Sequence, residues 1–89
     1  MGRKRSRIEI VFKVLEILIQ GETNPTKLAT LVNMPYDRLV KLLRELEERK
    51  IIEMNSSGKT RFIRITDKGI RLYEELKKVL DLLDDYGLI

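Results

Sequence analysis

The chain has 89 residues, with 18 Lys and Arg against 14 Asp and Glu, and it contains no Cys and no His. The missing Cys and His exclude disulfide and thiol chemistry and remove the commonest metal ligands and the commonest general base, so no metal, cofactor or catalytic site is expected. The length and the 43% hydrophobic content favour one folded domain over residues 1–89.

The first segment is a basic arm, residues 1–6, followed by an apolar helix over residues 7–20, which Gly21 ends. Charges at Glu9, Lys13 and Glu16 interrupt the apolar runs, which excludes a signal peptide and a membrane-spanning helix. Two apolar stripes run along this helix. The first is Ile8, Val11, Leu15 and Leu18, and the second is Ile10, Val14 and Ile17. We expect the second stripe to meet another subunit, because a small domain covers only one of them.

Residues 24–50 have the pattern of a helix-turn-helix. Asn24-Pro25 is typical of an N-cap followed by proline in the first helical position, and the short helix to Val32 is expected to turn Leu28, Leu31 and Val32 inward. Asn33-Met34-Pro35 forms the turn, and Pro35 opens a second helix that runs to Arg49 or Lys50. Its buried face is predicted as Leu39, Leu42, Leu43 and Leu46, and its outer face as Tyr36, Asp37, Arg38, Lys41, Arg44 and Glu45.

Residues 51–65 are predicted to form a β-hairpin, or wing. Ile51–Met54 has strand character, residues 55–58 form a turn cluster, and Thr60–Ile65 is rich in β-formers. Ile63 and Ile65 lie on one face and Arg64 on the other, with Lys59 and Arg61 near the tip.

The last helix covers residues 66–86. Thr66 caps it, Asp67 lies at its positive end, and Gly69 permits close approach of a neighbouring backbone. One apolar stripe packs on the domain, formed by Tyr73, Leu76, Leu80 and Leu83. A second is spaced as a helix–helix seam, formed by Leu72, Val79, Leu82 and Tyr86. The order is therefore α-α-α-β-β-α, a mainly α winged helix-turn-helix fold with a small hairpin and a C-terminal dimerisation helix.

Three stretches make the chain resemble archaeal winged-helix DNA-binding proteins of the "ten-a" type and, more distantly, MarR and PadR regulators. They are residues 5–10, Asn33-Met34-Pro35-Tyr36, and Lys59 to Gly69. The resemblance implies DNA binding and dimerisation through the terminal helix. The chain departs from the family pattern in two places: Pro35 stands where the pattern has Ser, and the terminal helix is shorter.

Charge is distributed unevenly along the chain. Residues 1–71 carry 16 basic and 9 acidic side chains, whereas residues 72–89 carry 2 and 5. This asymmetry indicates a polyanionic partner that touches only part of the molecule, although random variation on a solvated surface produces such a pattern too.

We therefore expect a homodimer that binds double-stranded DNA in the cytoplasm, associated with the nucleoid. Arg38, Lys41 and Arg44 would enter the major groove, and Tyr36 would stack on a sugar or donate to a phosphate. Lys59, Arg61 and Arg64 would contact the backbone or minor groove, and Arg5 and Arg7 would add phosphate contacts from the arm. For each of these groups there is an alternative: the helix face, the hairpin and the arm are charged surfaces that take no part in DNA binding.

The leading prediction is a regulator of transcription, and two alternatives stay open. One is a non-specific architectural protein of chromatin. The other is a protein-interaction module, whose basic residues meet an acidic protein inside a larger complex. RNA binding is less favoured, because exposed aromatic pairs of the kind that read single strands are missing. An enzyme is not expected, since the acidic pairs Glu47-Glu48, Glu74-Glu75 and Asp84-Asp85 are adjacent in sequence and do not share a helix face.

Overall fold

The computed structural model describes residues 6–89, which form four helices and one antiparallel hairpin. The elements are α1 (Arg7–Ile19), α2 (Pro25–Val32), α3 (Tyr36–Glu48), β1 (Ile52–Ser57), β2 (Thr60–Ile65) and α4 (Asp67–Asp85). The predicted order and the mainly helical winged fold are confirmed. Arg5 and the rest of the predicted basic arm up to residue 5 lie outside the described residues.

Helix α1 begins at a capping box and runs through the centre of the domain. The Ser6 hydroxyl accepts from the Glu9 amide at 3.1 Å, and the Glu9 carboxylate accepts from the Ser6 amide at 3.3 Å. Because α2, β2 and α4 all contact α1, its own chain covers more than one side of it. Val14 is 0% exposed, so its assignment to a dimer surface is wrong. Ile10 and Ile17 are half-buried and also pack against the core.

Helices α2 and α3 form the helix-turn-helix. The Asn24 side chain caps α2 by accepting from the Lys27 amide at 2.8 Å, with Pro25 in the first turn as predicted. Asn33 ends α2 in the left-handed conformation, with φ 57°. Pro35 precedes α3 and supplies no side-chain cap. The predicted buried face of α3 is confirmed at all four leucines: Leu39, Leu42, Leu43 and Leu46.

One inward residue of α2 was predicted wrongly. Leu31 is 49% exposed, and Ala29 is buried instead. Pro25, Leu28, Ala29 and Val32 share the face of this short helix that meets the core, and Leu31 lies off it.

The wing is a longer hairpin with a tighter turn than the sequence indicated. β1 continues to Ser57 and pairs in register from Ile52↔Ile65 to Ser57↔Thr60, which leaves only Gly58 and Lys59 in the turn. Gly58 has φ 62°, and positive φ is what the favoured two-residue hairpin turns require. The predicted turn over residues 55–58 is therefore shifted.

A bridge that the sequence did not predict fastens the wing to the body. The Thr23 amide donates to the Ile63 carbonyl at 3.2 Å, and the Ile63 amide donates to the Thr23 carbonyl at 2.7 Å. The loop between α1 and α2 thus adds one paired residue beside β2.

Helix α4 starts against the β1 entrance. The Thr66 hydroxyl accepts from the Gly69 amide at 3.1 Å, and its oxygen lies 2.7 Å from the Lys50 carbonyl oxygen and 2.9 Å from that of Ile51. The Thr66 amide donates to the Ile51 carbonyl at 3.1 Å. A Cβ on Gly69 would lie 2.2 Å from the Ile51 carbonyl oxygen, which confirms the close backbone approach. The Tyr73 ring stacks on Phe12, with centroids 5.1 Å apart.

The first half of α4 is more firmly attached to the body than its two predicted stripes suggested. Tyr73 and Leu76 pack against the core as expected. Leu72, which was assigned to the outer seam, is half-buried and packs against the core as well. Among residues 6–89, no helix is both long enough and apolar enough to cross a membrane.

Candidate nucleic-acid interface

The exposed face of α3 carries three cations. Arg38, Lys41 and Arg44 lie at spacings of three residues and are all exposed. Because the four buried leucines fix the opposite face, the cations are held outward on a rigid helix. Within residues 6–89, none of the three has a carboxylate within 4.0 Å. The face therefore presents three cations that form no ion pair with the described residues, together with one exposed carboxylate, that of Asp37.

Tyr36 stands at the first position of α3 and is 44% exposed. Its ring lines a groove that runs between α2, the start of α3 and the tip of the wing. Asp37 is exposed beside it. A phenol there can donate to an anion or pack against a sugar ring.

The two arginines of β2 point to opposite faces of the wing. The register places Arg61 on the face of Ile63 and Ile65, which is turned toward the helices, and Arg64 on the other face. Arg64 pairs across the strands with Glu53 at 3.6 Å. Arg61 has no such carboxylate partner among the described residues and lines the same groove as Tyr36. The structure thus brings Arg61 toward α3 and leaves Arg64 apart.

The groove between α2 and the wing contains residues that sequence reasoning missed. Lys27, Thr30 and Leu31 line it together with Lys59 and Arg61. None of the residues that line it is acidic, so its charge comes from three cations. Thr30 and the half-exposed Leu31 give it hydroxyl and apolar surface. The signal that could have found them is the pattern of α2, since Lys27 and Leu31 are one turn apart on the face that does not meet the core.

Arg7 lies at the start of α1 and forms an ion pair with Glu45 of α3. The hydrogen bond and the positive charge of Arg7 lower the pKa of Glu45 below its usual value of 4.5, and the charge of Arg49 acts in the same direction. The stabilisation from this pair is present above that usual value and is lost as pH falls through the lowered pKa. Arg7 is therefore engaged with α3 and is not part of a free arm.

The second half of α4 carries a group of exposed apolar side chains. Val79 is 50% exposed, Leu82 54% and Tyr86 74%, and Leu88 and Ile89 extend this surface past the end of the helix. These three α4 residues agree in position with the predicted seam, whereas Leu72, Ile10 and Ile17 pack on their own core. The acidic side chains of this region belong to the same helix, and two of them pair locally, Lys77 with Asp81 at 3.4 Å and Lys78 with Glu75 at 3.9 Å.

No cluster of acidic side chains in the described part of the chain has the arrangement of a metal site.

Sequence comparison finds a match to a family model described as winged helix-turn-helix over residues 4–84. An uncharacterised protein of Archaeoglobus fulgidus is 29% identical over 89 residues, which cover 89% of this chain and 94% of that protein. An uncharacterised protein of Methanocaldococcus jannaschii is 27% identical over 81 residues, covering 91% of this chain and 79% of that protein. Both relatives are archaeal.

Similar solved structures share the fold. Sso10a-2, a DNA-binding protein from Sulfolobus solfataricus, superposes with a TM-score of 0.84 at 18% identity, covering 93% of this chain and 86% of that one. The transcriptional regulator BldR from the same organism gives 0.83 at 19% identity, with 90% of this chain and 60% of BldR covered. A MarR-family regulator from Silicibacter pomeroyi gives 0.72 at 23% identity, with 90% and 58% covered. The resemblance to archaeal "ten-a" and MarR proteins is thus confirmed at the level of fold.

Proposed function

The chain belongs to the winged helix-turn-helix family, and from that premise we propose that it binds double-stranded DNA as a homodimeric transcription regulator. The observation that carries the proposal is the concentration of cations without ion-pair partners on one surface of the described chain. It is formed by the outer face of α3 and the groove between α2 and the wing, and we call it the basic face. Its cations are Lys27, Arg38, Lys41, Arg44, Lys59 and Arg61.

The arrangement of the basic face supports binding of a duplex. An exposed helix on a firm core fits the major groove of B-DNA, where Arg reads guanine through two hydrogen bonds. Arg38, Lys41 and Arg44 lie on that helix. Lys59 and Arg61 would contact the DNA backbone beside it. The groove adds Lys27 for phosphates, while Leu31 and Tyr36 present apolar surface to sugars. Similar folds that carry the names of DNA-binding and regulatory proteins support this assignment.

The acidic end of the chain supports a complex in which the basic face meets DNA and α4 points away from it. The exposed acidic side chains of α4 repel phosphate and are excluded from a DNA contact, so α4 remains available for another role. Its exposed Val79, Leu82 and Tyr86 form an apolar strip that a second copy would cover. A two-fold dimer through α4 would present two recognition helices to one side of DNA, about 34 Å apart if they read successive major grooves.

Fluorescence anisotropy with labelled duplexes of random and genomic sequence, at two salt concentrations, tests the proposal. Two cations removed from the basic face in Lys41→Gln/Arg44→Gln should weaken binding strongly. The matched control Lys77→Gln/Lys78→Gln removes the same charge from α4 and should bind like the unmodified protein. Equal losses in both variants would show that only net charge matters and would contradict the basic face as the binding site.

The same titrations separate the remaining functions. A regulator binds some sequences much more tightly than others, whereas an architectural protein binds all duplexes alike. Failure to bind any duplex at low salt would contradict the proposal and favour the protein-interaction module.

A further inference from the structure

Glu45 is an acidic side chain placed among the cations of α3. It lines a groove between α1 and α3 together with Arg7, Arg38 and Lys41. It is half-buried, and its carboxylate pairs with Arg7, 38 positions earlier in the chain. An unpaired carboxylate at this place would stand beside the surface that is proposed to meet phosphates.

Glu45 has two other cations within one helical turn. Lys41 precedes it by four residues and Arg49 follows it by four, the spacing at which opposite charges pair on a helix. The Arg49 guanidinium is engaged elsewhere, since its Nη1 donates to the backbone carbonyl of Glu45 at 3.2 Å. Lys41 has no carboxylate within 4.0 Å among the residues described. The exposed Asp37 also lies four residues from Lys41 and does not pair with it either, so of the two carboxylates at this spacing Arg7 occupies the one on Glu45.

We propose that Arg7 is a positioning residue for DNA binding, which acts by holding and neutralising Glu45 so that Lys41 stays available for DNA. The inference rests on the proposed function and adds a role to two residues that do not themselves read DNA. It replaces the sequence-based expectation that Arg7 contacts phosphate from a basic arm. The two roles differ in one respect: a positioning Arg7 matters only while Glu45 is charged, and a phosphate contact matters with or without it.

Four proteins decide between these roles: the unmodified chain, Arg7→Gln, Glu45→Gln and the double variant. Each is titrated with the same duplex at several salt concentrations, after thermal melting by circular dichroism confirms that it is folded. One neutralised phosphate contributes about −0.9 to the salt slope, which at 0.1 M salt corresponds to about eight-fold in affinity. We expect Arg7→Gln to weaken binding by about that factor and to lower the salt slope by about one.

In the double variant, removal of the carboxylate should restore affinity to within about two-fold of the unmodified protein and bring the salt slope back to the value of the unmodified protein. Glu45→Gln alone should bind as well as the unmodified protein or better.

If Arg7→Gln weakens DNA binding by the same factor in the unmodified protein and in the Glu45→Gln variant, Arg7 contacts phosphate directly and the inference is overturned. Weaker binding by Glu45→Gln alone would also overturn it. Neither result affects the proposed function, because the unmodified protein still binds. Absence of binding by the unmodified protein would overturn both.

Discussion

The two arginines of β2 offer a test of which side of the wing meets DNA. Arg61 lies on the face turned toward the helices and lines the groove with Lys27 and Tyr36, whereas Arg64 lies on the opposite face and pairs with Glu53 at 3.6 Å. The changes Arg61→Gln and Arg64→Gln remove the same charge, from the same strand, three residues apart. Any difference between them therefore reports position.

The expected magnitude follows from counterion release. A phosphate contact that contributes about −0.9 to the slope of log K against log salt is worth about eight-fold at 0.1 M salt, or about 1.2 kcal/mol. We expect Arg61→Gln to weaken binding by about this factor and to lower the slope by about one. Arg64→Gln removes a cation that Glu53 already offsets, so its effect should stay below about two-fold.

Anisotropy titrations at four salt concentrations, on a preferred and a random duplex, measure both quantities. The loss from Arg61→Gln should be the same on the two duplexes, since a backbone contact carries no sequence information. A larger loss on the preferred duplex would make the wing a reader of bases. Equal losses at Arg61 and Arg64, or a larger one at Arg64, would refute the orientation of the wing.

Three further changes test the recognition helix, the dimer and the packing of α4. Arg38→Ala should cost about 1–3 kcal/mol on the preferred duplex and relax specificity at one position; an equal loss on every sequence would reduce Arg38 to a phosphate contact, and no loss would remove α3 from the interface. Val79→Asp places a charge in the exposed α4 strip and should convert a dimer to a monomer in sedimentation equilibrium at micromolar protein; a monomer mass for the unmodified chain would contradict the dimer. Gly69→Ala would place a Cβ 2.2 Å from the Ile51 carbonyl oxygen, which already accepts from Thr66, and the strain should lower the free energy of unfolding by about 1–3 kcal/mol in denaturant titrations; an unchanged midpoint would show that α4 yields easily.

Local chemistry made the element order predictable. Helix starts were marked by residues whose caps the structure confirms, Asn24 before α2 and Thr66 before α4. The leucine spacing of α3 identified its buried face completely, because one face of that helix is apolar and the other charged. Gly69 was recognised as a place where another backbone comes close.

Errors arose where burial depends on the arrangement of distant elements. Two stripes on α1 suggested two partners, yet α2, β2 and α4 of the same chain surround it and enclose Val14. Leu72 was placed on an outer seam by its seven-residue spacing, but the start of α4 is held against Ile51 and packs more closely than a regular stripe implies. The Thr23 bridge to Ile63 joins segments 40 positions apart and has no local signal.

The sequence predicted which cations belong to the candidate site, but it did not predict which of them form ion pairs. Sequence reasoning found the cations of α3 and the wing, but the partners of Arg7 and Arg64 lie 38 and 11 positions away in the chain. Strand alternation does place Arg61 with Ile63 and Ile65, so the separation of Arg61 from Arg64 was within reach of the sequence. Lys27 and Leu31 were missed because α2 was treated only as a support for α3.

The burial of Val14 and the packing of Leu72 against the core change what the proposed dimer would be. Since Val14 is enclosed, and Ile10, Ile17 and Leu72 pack on the core, the part of the predicted dimer surface that stays exposed is the strip of Val79, Leu82 and Tyr86. Two turns of helix bury less area than the roughly 1,200–2,000 Å² of a typical stable interface. Association through this strip alone would therefore be weak, and we expect it at micromolar protein, where a monomer mass would still contradict the dimer. A duplex with two half-sites would hold two copies close together and raise their effective concentration, so that DNA itself would strengthen the contact between α4 helices.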